Sequence, residues 1–178
     1  MFPYNKARAI LLAKPPPGVL IRLWLRSPQQ ATVMETEVET QIMKWPAPFE
    51  LRHTSNGVHT TFLQHNKYIE VRWNGHITSE DVVSTAKVYL ELLLHHPCPK
   101  LLNNKSEATG DWQDANEWIQ FEWVPQVTKA GLHYMAHIYS DNMFSRLSAL
   151  DLLERTTPHL YLANFNEREQ AISWLLQQ

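Results

Sequence analysis

From Phe49 onward, apolar residues recur at spacings of two and then of three to four, the two periods that separate strands from helices. Tyr68-Ile69-Glu70-Val71-Arg72-Trp73 alternates strictly, with Ile69, Val71 and Trp73 on one face and Glu70 and Arg72 on the other. This pattern predicts a half-buried strand ending at Asn74-Gly75. Ahead of it, Phe49 to His53 and Val58 to Leu63 read as short strands joined by a Ser55-Asn56-Gly57 turn, a hairpin signature in its turn residues and spacing.

Thr78-Ser79-Glu80-Asp81 is a helix start, with Asp81 in capping-box position. Val82, Ala86, Tyr89 or Leu90, Leu93 and Leu94 follow at helical spacing until Pro97 and Pro99. Lys100 to Asn104 reads as a short strand. Gly110-Asp111 then opens a second helix through Trp112, Ala115, Ile119 and Trp123, with Pro125 as a kink and Gly131 as its end. Leu132 to Tyr139 alternates again. Asp141 is the expected cap of a third helix carrying Phe144, Leu147, Leu150 or Asp151, and Leu153 or Glu154. Leu160 to Phe165 forms the last strand, and Asn166 with Glu169 caps a final helix bearing Ala171, Ile172, Leu175 and Leu176. The order predicts an α/β fold: a mixed, mostly parallel sheet with an N-terminal antiparallel hairpin and about four helices.

Residues 1–48 follow neither period. Apolar runs at Ala9 to Ala13 and Val19 to Leu25 are broken by Lys14, three prolines and Arg22, too short to span a bilayer. They read as a poorly ordered extension or a mis-called start, with Met34 or Met43 as initiator; the domain is expected at 49–178. The chain of 178 residues has a net charge of −2, yet residues 1–34 hold five basic residues and no acid. The remaining 11 basic and 18 acidic residues carry −7, which argues against nucleic-acid binding. A single cysteine, Cys98, rules out an intramolecular disulfide and suits the cytoplasm.

Asp111-Trp112 through Glu117-Trp118-Ile119, Glu122-Trp123-Val124-Pro125, Ala130-Gly131-Leu132, Phe144-Ser145-Arg146-Leu147-Ser148 and the ending Asn164-Phe165-Asn166-Glu167 into Ala171-Ile172-Ser173-Trp174-Leu175 carry a resemblance. Together with the element order, they make residues 49–178 similar to the STAS-like bacterial proteins related to the sporulation anti-sigma antagonist SpoIIAA. The resemblance implies a small cytoplasmic bacterial domain for protein interaction or ligand sensing. In the antagonists a phosphorylatable serine lies in an Asp-Ser-Ser/Thr-Gly-type turn. The matching stretch here, Asn104 to Asp111, lacks that pattern, and Glu107 and Asp111 would repel a phosphate on Ser106 or Thr109.

Chemistry-bearing motifs are sparse. His95-His96-Pro97-Cys98 sits at a helix end where adjacent side chains diverge, and His133 and His137 are two pleats apart, too far to share a metal. There is no nucleophile elbow and no glycine-rich phosphate loop. The reading is therefore non-enzymatic, with no catalytic residue, metal or cofactor assigned. Trp112, Trp118, Phe121 and Trp123 exceed one core-facing stripe, which suggests packing against the N-terminal segment or a neighbouring helix, or else a small apolar or lipid-like ligand or a protein partner, a second copy included. Ligands of open α/β sheets sit beyond the carboxyl ends of parallel strands. The candidate surface is accordingly Asn103, Asn104, Lys105, Ser106, Trp112, Trp118, Tyr139 and Asp141.

Overall fold

The computed structural model describes residues 28–53, 58–155 and 160–178. Six strands form one sheet in sequence order: β1 (Phe49–His53), β2 (Val58–Gln64), β3 (Ile69–His76), β4 (Lys100–Thr109), β5 (Tyr134–Ile138) and β6 (Tyr161–Phe165). β1 to β3 pair antiparallel and β3 to β6 pair parallel, so the chain has the expected α/β class. The expected Ser55-Asn56-Gly57 turn lies outside the described residues.

Five helices are described: α1 (Pro28–Met43), α2 (Ser79–His95), α3 (residues 113–129), α4 (Met143–Arg155) and α5 (Arg168–Gln177). A parallel strand order that never reverses carries successive crossovers along one face. On that face Val71, Trp73, Leu101 and Met135 meet Tyr89 and Leu92 of α2, Ile119 and Trp123 of α3, and Ala149 and Leu152 of α4. On the other face Ala171 and Leu175 of α5 cover Tyr68, Leu102, Ala136 and Ile138. β4 and β5 are thus enclosed from both sides, and residues 101–105 and 135–138 are buried without a break.

Local chemistry explains the element ends. Thr78 accepts from the Asp81 amide at 3.3 Å while the Asp81 carboxylate accepts from the Thr78 amide at 2.9 Å, the reciprocal cap expected for α2. α3 opens with a 3-10 turn, Gln113–Ala115, and widens at Ile119–Trp123, where the Val124 N–H reaches back five residues to Ile119 O. Pro125 follows at once; it has no N–H to continue the regular ladder. Gly131, at φ +107°, ends α3, with the Leu132 N–H donating to Val127 O.

Four expectations change. β4 runs to Thr109 rather than stopping at Asn104, because β3 also continues past Asn74-Gly75 to His76 and pairs with it. Asn142, not Asp141, caps α4: its Oδ1 accepts from the Ser145 N–H at 3.1 Å, while Asp141 is exposed. The buried side of α4 is Ser145, Ser148, Ala149 and Leu152, whereas Phe144, Leu147 and Leu150 face outward. α5 begins after Glu167 rather than Asn166, without a side-chain cap.

Part of the expected extension is also structured. α1 leads to Ile42 and Trp45, both buried, and the His96 ring donates from Nε2 to Ile42 O at 3.1 Å. The Trp45 ring meets Phe49 edge-on at 5.9 Å, and Phe49 stacks on Phe62 at 4.7 Å. No described helix is long and apolar enough to cross a membrane.

Candidate ligand site between sheet and helices

Alternation along β4 sends Leu101, Asn103 and Lys105 towards the helix layer, and along β3 it sends Val71 and Trp73 to the same side. These residues line a cavity of about 50 Å³ together with Tyr89 of α2, Trp112, Ile119 and Trp123 from the α3 region, and Met135 of β5. Half-buried Ala86, Gln120, Arg155 and Leu162 complete the lining where it approaches solvent.

The three indoles are held by their own N–H groups. Trp73 Nε1 donates to Asn103 Oδ1 at 2.7 Å, Trp112 Nε1 to Ser145 Oγ at 3.1 Å, and Trp123 Nε1 to Ala86 O at 2.8 Å. Each N–H is satisfied within the protein. Trp112 is fixed twice, since its backbone N–H also donates to Ser148 Oγ at 3.2 Å.

Lys105 is the unusual member. It is 1% exposed, and its Nζ lies 3.4 Å from the centroid of the Trp112 ring and 4.6 Å from that of Trp73. Two aromatic faces therefore cradle the amine by cation–π attraction. No described residue accepts a hydrogen bond or pairs in a salt bridge with it, and burial pulls its pKa well below the ordinary lysine value. His137, stacked on Trp112 at 5.7 Å, is also buried and its Nδ1 has no partner. Burial first, and then the charge of Lys105, hold its imidazole well below its usual pKa.

The opposite face of the sheet holds a different centre. Glu70, fully buried, receives Arg168 at 2.8 Å, Arg72 at 2.8 Å, His65 at 2.8 Å and the Asn104 amide at 3.4 Å. Burial pushes the carboxyl up, but the hydrogen bonds from Arg168, Arg72 and His65 prevail and hold it down at about 2. With its oxygens taken by these donors, this carboxylate joins β3 to α5.

The structure divides the eight candidate surface residues. Asn103, Lys105 and Trp112 come together at the cavity. Asn104 and Ser106 do not, because alternation turns them to the opposite face, where Asn104 Oδ1 accepts from the Ser106 hydroxyl at 2.8 Å. Trp118 is half-buried at the core's edge with Lys87 Nζ 5.6 Å from its ring. Tyr139 lies under Arg146 at 4.8 Å, and Asp141 is exposed on the bend before α4. Ser106 and Thr109 are exposed residues of β4. The carboxyl-end crevice requires a reversal of strand order, and the parallel strands contain none.

The motif His95-His96-Pro97-Cys98 is dispersed over separate carbonyls. His95 donates to Glu91 O, His96 to Ile42 O and Cys98 to Lys100 O. Sequence reasoning missed Trp73, Tyr89 and His137 as neighbours of the site. The period-two pattern placed Trp73 and His137 on definite faces, but not on which side the helices would lie. A scan of the sequence against protein-family models gives no match, and no curated protein matches it.

Proposed function

We propose that this chain is a non-enzymatic, STAS-like regulatory module that takes a small, largely apolar ligand between its sheet and its helix layer. The aromatic-walled cavity beside Lys105 carries this reading, since its indole N–H groups are already used and its walls are mainly apolar. The hairpin followed by alternating strands and helices supports the STAS-like assignment. The acidic body and lone cysteine support a cytoplasmic protein that does not bind nucleic acid.

Ligand-observed NMR with small apolar fragments tests the site. Binding is expected in the intact chain and is expected to disappear in Ala86→Leu, which fills the lining from α2. Fragments that bind this variant unchanged would place their site elsewhere.

A second reading is favoured by α4. Met143, Phe144, Leu147 and Leu150 leave an apolar strip on its outer side, suited to a protein partner, with a second copy the simplest case. Sedimentation equilibrium of the full chain is expected to give a dimer that Leu147→Glu reduces to a monomer. A monomer at high concentration would dispose of the self-association version.

A further inference from the structure

Among the described residues, two basic ones, Lys105 and Arg155, line the cavity, and no aspartate or glutamate does. Arg155 is already neutralised, its Nε donating to Asp151 at 2.8 Å. Lys105 has two indole faces but no anion among the described residues. A buried ammonium stabilised only by rings retains much of its desolvation cost.

A ligand that supplies the missing charge gains more here than a neutral molecule of the same shape. A phosphate would bring more charge than one amine can match and requires a cluster of donors. A carboxylate brings one charge, and its chain meets Ile119, Trp123 and Met135. Size sets the chain length. An apolar cavity of roughly 150 Å³ holds benzene, so one of about 50 Å³ suits a head group and a short chain extending towards its opening.

We infer that the cavity binds a short-chain monocarboxylate, with the carboxylate paired to Lys105 Nζ and the alkyl chain against the apolar wall. This inference rests on the cavity being a ligand site and adds the ligand's chemical class. His137, stacked on Trp112 at 5.7 Å, is neutral or cationic and never an anion, so it supplies the amine with no counter-charge.

Isothermal titration of the full chain with butyrate, 1-butanol and butylamine separates the two levels of the reading. Butyrate is expected to bind one to one and at least tenfold more tightly than 1-butanol, with butylamine weakest. Lys105→Met is expected to abolish the preference for butyrate while melting at or above the temperature of the parent, because it removes a buried amine that has no acceptor among the described residues. Lys87→Met, altering the lysine over Trp118, is expected to leave butyrate binding unchanged. Equal binding of 1-butanol and butyrate would overturn the carboxylate inference and leave the apolar site standing. Binding of neither would overturn both. Should Lys105→Met fail to fold, the three-ligand comparison on the parent chain still decides the matter.

Discussion

Gly110 sits at φ +102° where the chain leaves β4, and a Cβ there would run into the carbonyl oxygen of Ile77. Gly131 has a similar φ of +107°, but a Cβ added to it meets nothing within 4 Å. Gly131→Ala should therefore cost about 1–2 kcal/mol from backbone strain alone, and Gly110→Ala should cost more than twice as much. Urea denaturation of the two variants checks this, and equal losses would refute the contact argument. Glu70 provides a second test at this scale. Its folded pKa of about 2 lies below the ordinary 4.5, so its stabilisation is complete above pH 4.5 and is lost as pH falls towards 2. The shift corresponds to about 3 kcal/mol. His137 acts earlier in the descent: with its folded pKa lowered, stability declines as pH drops below about 6.5, where the unfolded imidazole protonates. Denaturation from pH 7 to pH 2 should show both limbs, and Glu70→Gln should flatten only the lower one.

α4 shows how an element can bury the face its apolar pattern does not mark. Ser148 Oγ donates to Asp111 Oδ1 at 3.1 Å and accepts the Trp112 N–H at 3.2 Å, while Ser145 Oγ accepts the Trp112 indole N–H. Small hydroxyl side chains let the helix approach the Trp112 turn closely and satisfy its polar groups. Ser148→Ala should therefore destabilise by about 1–3 kcal/mol, since it leaves a buried N–H unpaired. Leu147→Gln, on the side where Leu147 is 51% exposed, should change the stability of the monomer, at concentrations too low for self-association, by less than about 0.5 kcal/mol. Thermal melts of the two variants measure the contrast. A larger loss for Leu147→Gln would restore the apolar-face orientation.

Across the whole molecule, α1 extends the packed body beyond the strand-and-helix region recognised from periodicity. Ile42 and Trp45 belong to the main core, and His96 binds the Ile42 carbonyl from the end of α2. A chain shortened to begin at Phe49 should lose several kcal/mol, comparable to the roughly 3–5 kcal/mol of a buried Trp→Ala change. Its melting temperature, compared with that of the full chain, is the measurement. An unchanged value would show that α1 adds nothing to the folded state.

Periodicity and caps were sufficient to read the six strands, the helices from α2 onward, the Thr78–Asp81 capping box and the Gly131 stop, because these depend on neighbours within a few residues. The stripe of Trp112, Ala115, Ile119 and Trp123 was legible for the same reason, and all four are buried. The later residues of β4 were not legible, since Ser106 and Glu107 resemble a polar loop until β3 supplies their partners. Nor was the burial of Glu70, whose partner Arg168 lies 98 residues away. Sequence alone thus determined the order of elements and the side of each strand on which Trp73 and His137 fall, while Lys105 lay beyond the expected end of β4. Only the tertiary structure decided that α3 would close over that side, placing Lys105 between two indoles with no anion among the described residues, because the contact joins groups whose meeting no local spacing encodes.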